Sequence, residues 1–229
     1  MIIAGASRHS KEVLQILLSQ NTSENEIILF DDYSSELGVY FKKYNWVRSI
    51  DYFKSNKEHE FVLALGGTQN RYIVAQKLIS SGLILRSVIA NSAIIGIDDV
   101  AIEKGVNIMN FVFIADSTKI GEGTLINAYS SIHHDVCIGK YSEISPRATL
   151  LGGVKVGSFT SIGAGAIVLP NIKIGNNVVI GAGSVVTKNI PAAITRIMIN
   201  SAATLPLLMR LLFLRLAIVP FFFPYDFNN

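Results

Sequence analysis

Two histidines and an aspartate stand together at His133, His134 and Asp135, and Asn127 precedes His134 by seven residues. A histidine beside a carboxylate at a solvent-facing position can act as a general base, because imidazole titrates near pH ~6.5. The residues are equally consistent with exposed histidines that only decorate a surface, so both interpretations stay open at this point. A metal site is disfavoured, since adjacent residues of a strand point to opposite faces and do not readily share one ion.

The segment that holds these residues repeats every six positions, from residue 102 to residue 190. A small or β-branched residue follows each aliphatic position after four residues, which is typical of a parallel β-helix with about five coils. We expect the aliphatic side chains to fill the interior of the prism. Those positions are Ile102, Ile108, Ile114, Ile120, Ile126, Ile132, Ile138, Ile144, Leu150, Val156, Ile162, Val168, Ile174, Ile180 and Val186.

Two further features of the repeat lead to expectations about its backbone. Val88 and Ile94 look like earlier positions of the same pattern, with a register slip before Ile102. Glycine often directly follows the aliphatic residue, as at Gly121 and Gly139. We expect these glycines to relieve corners where φ is positive.

Residues 1–86 instead alternate between short apolar runs and segments with helical spacing, which predicts a small parallel sheet covered by helices. Ligands of such sheets bind at the carboxyl ends of the strands. Three polar or glycine-containing segments fall at such ends: Gly5–Ser10, Asp31–Asp32 and Gly66–Thr68.

Composition narrows the remaining possibilities. The net charge is +3 and no run of five like charges exists, so the sequence shows no nucleic-acid-binding arm. A single cysteine, Cys137, excludes an internal disulfide framework, and the start lacks the features of a signal peptide. We therefore expect a cytoplasmic protein with three regions: a small βα domain at 1–86, a β-helix at 87–190 and an atypical apolar tail at 191–229.

The tail contains an apolar run at 205–223 that Arg210 and Arg215 interrupt. Arginine at mid-bilayer is costly, so we expect this run to pack on a protein or membrane surface rather than span a bilayer. A frameshifted end is the alternative explanation for its abrupt change of composition.

Several motifs together resemble a known family: an opening GAS-x-H, a His–acid pair within the hexads, and the later VLPN and IGAGSVVTK. They are similar to those of bacterial acyltransferases that acetylate nucleotide-linked amino sugars or sialic acid, within the hexapeptide-repeat acyltransferases. The resemblance covers residues 1–190. It implies an α/β Rossmann-like N-terminal domain, a left-handed parallel β-helix, a homotrimer, and acetyl-CoA bound as co-substrate between two β-helices.

The resemblance also implies roles for individual residues. His134 matches the catalytic base, Asp135 the residue that orients it, and Asn127 a supporting polar residue. Gly152, Ala164 and Ala182 match positions that lie along the pantetheine arm of acetyl-CoA. Positions near the nucleotide or sugar are matched by Ser7, His9, Asp31, Asp32 and Gly66. No metal is implied.

The chain departs from the family pattern at four positions. Arg8 and Ser10 replace glycines in the first loop, which predicts a bulkier loop. Glu143 replaces a second histidine beside the thioester, and Arg147 replaces a neighbouring glycine. A carboxylate donates a hydrogen bond only when protonated, so either reduced activity or an altered pose of the acyl donor is expected.

These observations favour an acetyl-CoA-dependent N-acetyltransferase that acts on a nucleotide-linked amino sugar for surface glycan biosynthesis. Two alternatives remain: an O-acetyltransferase acting on sialic acid or a similar sugar, and a catalytically impaired trimeric scaffold.

Overall fold

The computed structural model describes residues 1–53, 59–192 and the backbone of 197–199. Within this part of the chain no helix is long and apolar enough to cross a membrane. The apolar run 205–223, for which we predict surface packing, lies outside the described residues.

The first domain is a five-stranded parallel sheet in the order β3-β2-β1-β4-β5. Helices α1 (Arg8–Ser19) and α2 (Thr68–Ser80) cover it, and short 3-10 helices occur at Glu24–Glu26, Val39–Phe41 and Ile50–Phe53. The predicted alternation of strands and helices is therefore confirmed, although β3 and β5 are short strands that the pattern did not indicate. The five strands are β1 (Ile2–Ala4), β2 (Ile28–Phe30), β3 (Asn45–Val47), β4 (Glu60–Leu63) and β5 (Ile84–Leu85).

Helix α1 forms because its apolar residues recur at helical spacing. Val13, Leu14, Ile16 and Leu17 are buried on one side of the helix. They belong to a cluster that also contains Met109 and other residues of the second domain, so α1 packs against both the sheet and the β-helix.

The second domain is a left-handed parallel β-helix with three flat faces. The first face contains β6 (Val88–Ile89), β9 (Asn107–Ile108), β12 (Leu125–Ile126), β15 (Glu143–Ile144), β18 (Ser161–Ile162), β21 (Val178–Ile180) and β23 (Ile197–Ile199). The second face contains β7 (Ile94–Ile95), β10 (Phe113–Ile114), β13 (Ser131–Ile132), β16 (Thr149–Leu150), β19 (Ile167–Val168) and β22 (Val185–Val186). The third face contains β8 (Ala101–Ile102), β11 (Lys119–Ile120), β14 (Cys137–Ile138), β17 (Lys155–Val156) and β20 (Lys173–Ile174).

The interior of the prism confirms the six-residue repeat. The aliphatic residues from Ile108 to Val186 belong to one buried cluster, with Ile102 packed against it. Small polar residues that share the interior satisfy their hydroxyls along the axis: Thr124 Oγ1 donates to the Gly139 carbonyl at 3.0 Å, and Ser142 Oγ to the Gly157 carbonyl at 2.8 Å. The interior is thus apolar in its side chains and hydrogen-bonded in its few polar groups.

Two expectations about the repeat are wrong. Ile89 pairs with Ile108, and Ile95 with Ile114, so these residues point inward and Val88 and Ile94 point outward. The repeat therefore contains one extra residue between Ile95 and Ile102.

The glycines that directly follow aliphatic residues do not have positive φ. A Cβ at Gly139 would lie 2.5 Å from the Ser158 nitrogen of the next coil, so these glycines are needed for close backbone approach. Positive φ occurs instead at every sixth residue from Asp99 (φ 49) to Gly183 (φ 68).

Candidate functional site

His134 lies on the corner between the second and third faces of the prism. Its side chain is 68% exposed, and Nδ1 is 2.7 Å from Oδ2 of Asp135. Asp135 has φ 60, and this left-handed turn sets its carboxylate beside the imidazole. With Nδ1–H directed at the carboxylate, Nε2 is left as the basic nitrogen, directed away from Asp135.

Gly152 lies one coil below His134 and makes room for its ring. A Cβ at this position would be 2.6 Å from Cε1 and 2.7 Å from Nε2 of His134. Any other residue at 152 would therefore displace the imidazole. His133 points elsewhere, since its ring packs edge-on against Phe113 of the second face, with centroids 6.1 Å apart.

Asn127 does not lie beside His134 in the same chain. It belongs to the corner between the first and second faces, where its Nδ2 donates to the Ile144 carbonyl at 3.2 Å. Ala164 and Ala182 are exposed on this same corner in later coils. Beside them, Gly165 and Gly183 have no atom within 4 Å of a built Cβ, so the surface is open there. The matched residues thus divide between two corners that the whole second face separates.

A cleft of about 400 Å³ opens between the two domains. Its lining includes Arg8, His9, Gly66, Asn127 and Glu143. His9 Nδ1 lies 3.3 Å from a carboxylate oxygen of Glu12. Burial, assisted by the charge of Arg71, lowers the pKa of His9 to about 4, so the His9 ring is neutral at physiological pH.

Glu143 projects into this cleft from the outward position of β15. Its Oε2 accepts a hydrogen bond of 2.8 Å from the backbone N–H of Gly67, the residue that precedes helix α2. This hydrogen bond joins the β-helix to the first domain within one chain.

A second cavity, of about 560 Å³, lies at the carboxyl ends of β1, β2 and β4. Gly5, Ser7, Asp31 and Asp32 line it, as expected for a ligand site at this edge. The carboxylate of Asp31 already has hydrogen-bond partners within the protein. Its two oxygens accept hydrogen bonds from the backbone N–H groups of Ala6, Tyr33 and Ser34 and from the Ser34 hydroxyl. Asp32 is paired with Lys77.

The first loop is less crowded than its sequence suggests. Ser10 is fully buried, and its hydroxyl lies 2.8 Å from the Gly5 carbonyl and 2.9 Å from the Ala64 carbonyl. The Ser10 side chain therefore stabilises the loop from its buried side. Arg8 is exposed and lines the interdomain cleft rather than the cavity at the strand ends.

Arg71 is a residue that the sequence interpretation missed. It is fully buried beneath the cleft and donates hydrogen bonds to the carbonyls of Leu65, Gly105 and Gly123 and to Asn107 Oδ1. Burial lowers its pKa to about 10, with Glu143 opposing the shift, so it stays charged at neutral pH. Nothing in the sequence of α2 distinguishes it from a surface arginine.

Within the described residues, no group of three or more histidine, cysteine, aspartate or glutamate side chains is placed to hold a metal ion.

Two different families match the first part and the later part of the chain. Residues 1–78 match the family described as the PglD N-terminal domain, and residues 117–152 and 153–188 match the bacterial transferase hexapeptide family (six repeats). No curated protein sequence matches the chain.

Solved structures match over most of the chain. PerB from Caulobacter crescentus, in complex with CoA and GDP-perosamine, is 26% identical with a TM-score of 0.75, covering 87% of this chain and 92% of its own. WeeI from Acinetobacter baumannii AYE is 27% identical with a TM-score of 0.77, covering 85% and 94%. The acetyltransferase domain of PglB from Neisseria gonorrhoeae, in complex with acetyl coenzyme A, shares the fold at 22% identity and a TM-score of 0.76, covering 87% and 94%.

Proposed function

We propose that this chain, which is similar to the bacterial sugar acetyltransferases built on hexapeptide repeats, transfers an acetyl group from acetyl-CoA to the amine of a nucleotide-linked amino sugar. The observation that carries this proposal is the His134–Asp135 pair, exposed on a corner and accommodated by Gly152. The nucleotide-sugar and CoA ligands of PerB support the substrate classes. We further propose a cytoplasmic location and a role in surface glycan biosynthesis.

His134 serves as the general base. The acceptor nitrogen attacks the thioester carbonyl carbon, Nε2 of His134 takes a proton from that nitrogen, and the same proton passes to the CoA sulfur as the carbon–sulfur bond breaks. Asp135 holds the ring and stabilises the imidazolium that forms during the transfer. Acetyl-CoA supplies only the activated acyl group, so no covalent enzyme intermediate is needed.

The substrate residues divide between the two cavities. We assign the nucleotide to the cavity at the strand ends, with Ser7 and Asp32 as its contacts and Asp31 as the residue that shapes the loop. We assign the sugar to the interdomain cleft, beside His9 and Gly66. The open surface along Ala164 and Ala182 fits the pantetheine arm, since small residues allow a ligand close to the backbone.

We propose that two chains build each site, in a homotrimer. Gly152 and His134 lie on one corner and Ala164 on the other, so a ligand that touches both must lie between neighbouring copies. The outward residues of the second face support this arrangement: Ile94, Phe113, Ile167 and Val185 are 65%, 39%, 38% and 51% exposed, respectively. The third face carries Lys119, Lys155 and Lys173 at the matching positions. Apolar side chains that recur along one face are typical of an interface.

The proposal is tested by thiol release from acetyl-CoA with a panel of nucleotide-linked amino sugars. We expect His134→Ala to lower turnover by about 10²–10⁴-fold without unfolding, and Asp135→Asn to lower it less. His133→Ala is the matched control and should stay active. Turnover that survives in His134→Ala but is lost in His133→Ala would show that the base is the other histidine. No thiol release from the wild-type protein with any acceptor would favour the scaffold alternative.

The shared site is tested by mixing two defective chains. His134→Ala damages one corner and Ala164→Trp blocks the other, and each homotrimer should be inactive. Random trimers from equal amounts should regain about a quarter of wild-type activity, because that share of neighbouring pairs joins one intact corner of each kind. Mixtures that stay inactive would mean that each site lies within one chain.

A further inference from the structure

We infer that Glu143 makes the interdomain cleft selective for an acceptor that carries a positive charge, which means an amine rather than a hydroxyl group. This inference rests on the proposed function and names the acceptor class of the same site.

Glu143 presents free hydrogen-bonding capacity to the cleft. Among the residues that the structure describes, the N–H of Gly67 is the one hydrogen-bond donor to its carboxylate. An ionised carboxylate can accept about four hydrogen bonds. Gly66 leaves space in front of it, since a Cβ built there would still be 3.7 Å and 3.9 Å from the two oxygens. The carboxylate is thus fixed by one bond and open to a ligand.

None of the charged side chains described around the cleft donates a hydrogen bond to the Glu143 carboxylate. His9 is uncharged, because burial holds its pKa at about 4. Glu12 adds a second carboxylate to the lining, and Arg8 is the one cation that lines the cleft among the described residues. Arg71, which is buried and charged, lies close enough to attract Glu143, but four of its five N–H donors bond to other acceptors and none of these bonds goes to the Glu143 carboxylate. The lining therefore carries more negative than positive charge.

A sugar amine and a sugar hydroxyl differ in what they offer such a surface. An aliphatic amine is largely protonated at neutral pH, and an ammonium group donates three hydrogen bonds and carries a charge. A hydroxyl donates one and is neutral. Both groups can donate a hydrogen bond to the carboxylate, but only the ammonium group adds Coulomb attraction between opposite charges. Glu143 would bind the ammonium form, which releases one proton to solvent before the neutral nitrogen attacks the thioester.

The inference is tested by equilibrium binding of matched nucleotide sugars in the presence of CoA. Two pairs differ only in the amine or hydroxyl at C4 of the sugar: GDP-perosamine with GDP-D-rhamnose, and UDP-4-amino-4,6-dideoxy-N-acetylglucosamine with UDP-N-acetylquinovosamine. The pair that the wild-type protein binds more tightly is used. We expect the wild-type protein to bind the amine member about tenfold more tightly, and Glu143→Gln to reduce this ratio to about one.

Glutamine keeps an oxygen that can accept from Gly67, so the variant removes charge without removing the contact, and an unchanged melting temperature verifies this. Glu26→Gln is the matched control, because Glu26 is an exposed carboxylate just before β2, at the amino end of that strand, whereas Gly66 and Gly67 follow the carboxyl end of β4. It should leave the ratio unchanged.

An equal affinity of the wild-type protein for both members, or a tenfold ratio that persists in Glu143→Gln, would overturn the inference. Binding needs no turnover, so these outcomes are distinct from a failure of thiol release, which would bear only on the proposed reaction.

Discussion

Two buried regions differ in what determines their residues. One is the interior of the prism, and the other is the boundary between the first face of the prism and the first domain. In the interior, Ile126, Ile144 and Ile162 meet copies of the same environment one coil above and below. At the boundary, Arg71 meets carbonyls at Leu65, Gly105 and Gly123, each from a different part of the chain. A repeat makes the first environment uniform, whereas chain topology makes the second one unique.

The largest expected effect concerns the interior. Ile144→Asp places an unpaired carboxylate among fully buried aliphatic side chains, where an ionised group is very unfavourable. We expect loss of the folded protein, measured as insoluble expression or the absence of a cooperative melting transition. Lys155→Asp, at an exposed outward position, is the control and should melt like the wild type. An unchanged melting temperature in Ile144→Asp would contradict the assigned interior.

The second effect is confined to the boundary. Arg71→Met removes a buried cation and leaves four acceptors without their donor, three of them at fully buried hydrogen bonds, which should cost about 3 kcal/mol or more of unfolding free energy. We expect the first domain to melt at a lower temperature while the prism still melts cooperatively, so that calorimetry shows two transitions. Lys77→Met removes an exposed cation from the same helix as a control. A single transition at the wild-type temperature would mean that the boundary does not depend on Arg71.

The third effect is smaller and also belongs to the boundary. The pKa of His9 falls from 6.5 to about 4 on folding, so the unfolded chain binds more protons between these values. The corresponding stability is complete above pH 6.5 and is lost as the pH falls toward 4, by up to about 3 kcal/mol. Urea unfolding across this range measures the loss, and His9→Gln should flatten it. An equally steep pH dependence in His9→Gln would assign the titration to another group.

Sequence alone predicted what the repeat dictates. The inward positions from Ile102 to Val186 and the exposed corner of His134 follow from period six, because every hexad repeats the same geometry. Where the repeat is imperfect, the predicted inward position is wrong by one residue. Ile94 is predicted to point inward, but its neighbour Ile95 fills the interior. A single-residue shift is enough to exchange the two faces of a strand.

The rest of the site depends on contacts that no local pattern records. The carboxylate of Glu143 accepts a hydrogen bond from Gly67, which lies 76 positions away in the chain. Asn127 precedes His134 by only seven residues, yet the second face of the prism separates the two corners on which they lie. Spacing in sequence becomes proximity in space only when the number of residues per coil is taken into account.

The turn that sets Asp135 beside His134 is an ordinary one in this molecule. Positive φ recurs at the same place in each corner from Asp99 to Gly183, including Tyr141, Phe159 and Asn171, so each of these corners offers the backbone on which such a pair could arise. A new base would need two substitutions and a glycine one coil below, with no remodelling of a loop. Adding or deleting whole coils between the first domain and the pair would therefore shift the His134–Asp135 pair along the axis of the β-helix, relative to the first domain, in steps of about 4.8 Å. Evolution can in this way fit one chemistry to donors and acceptors of different length.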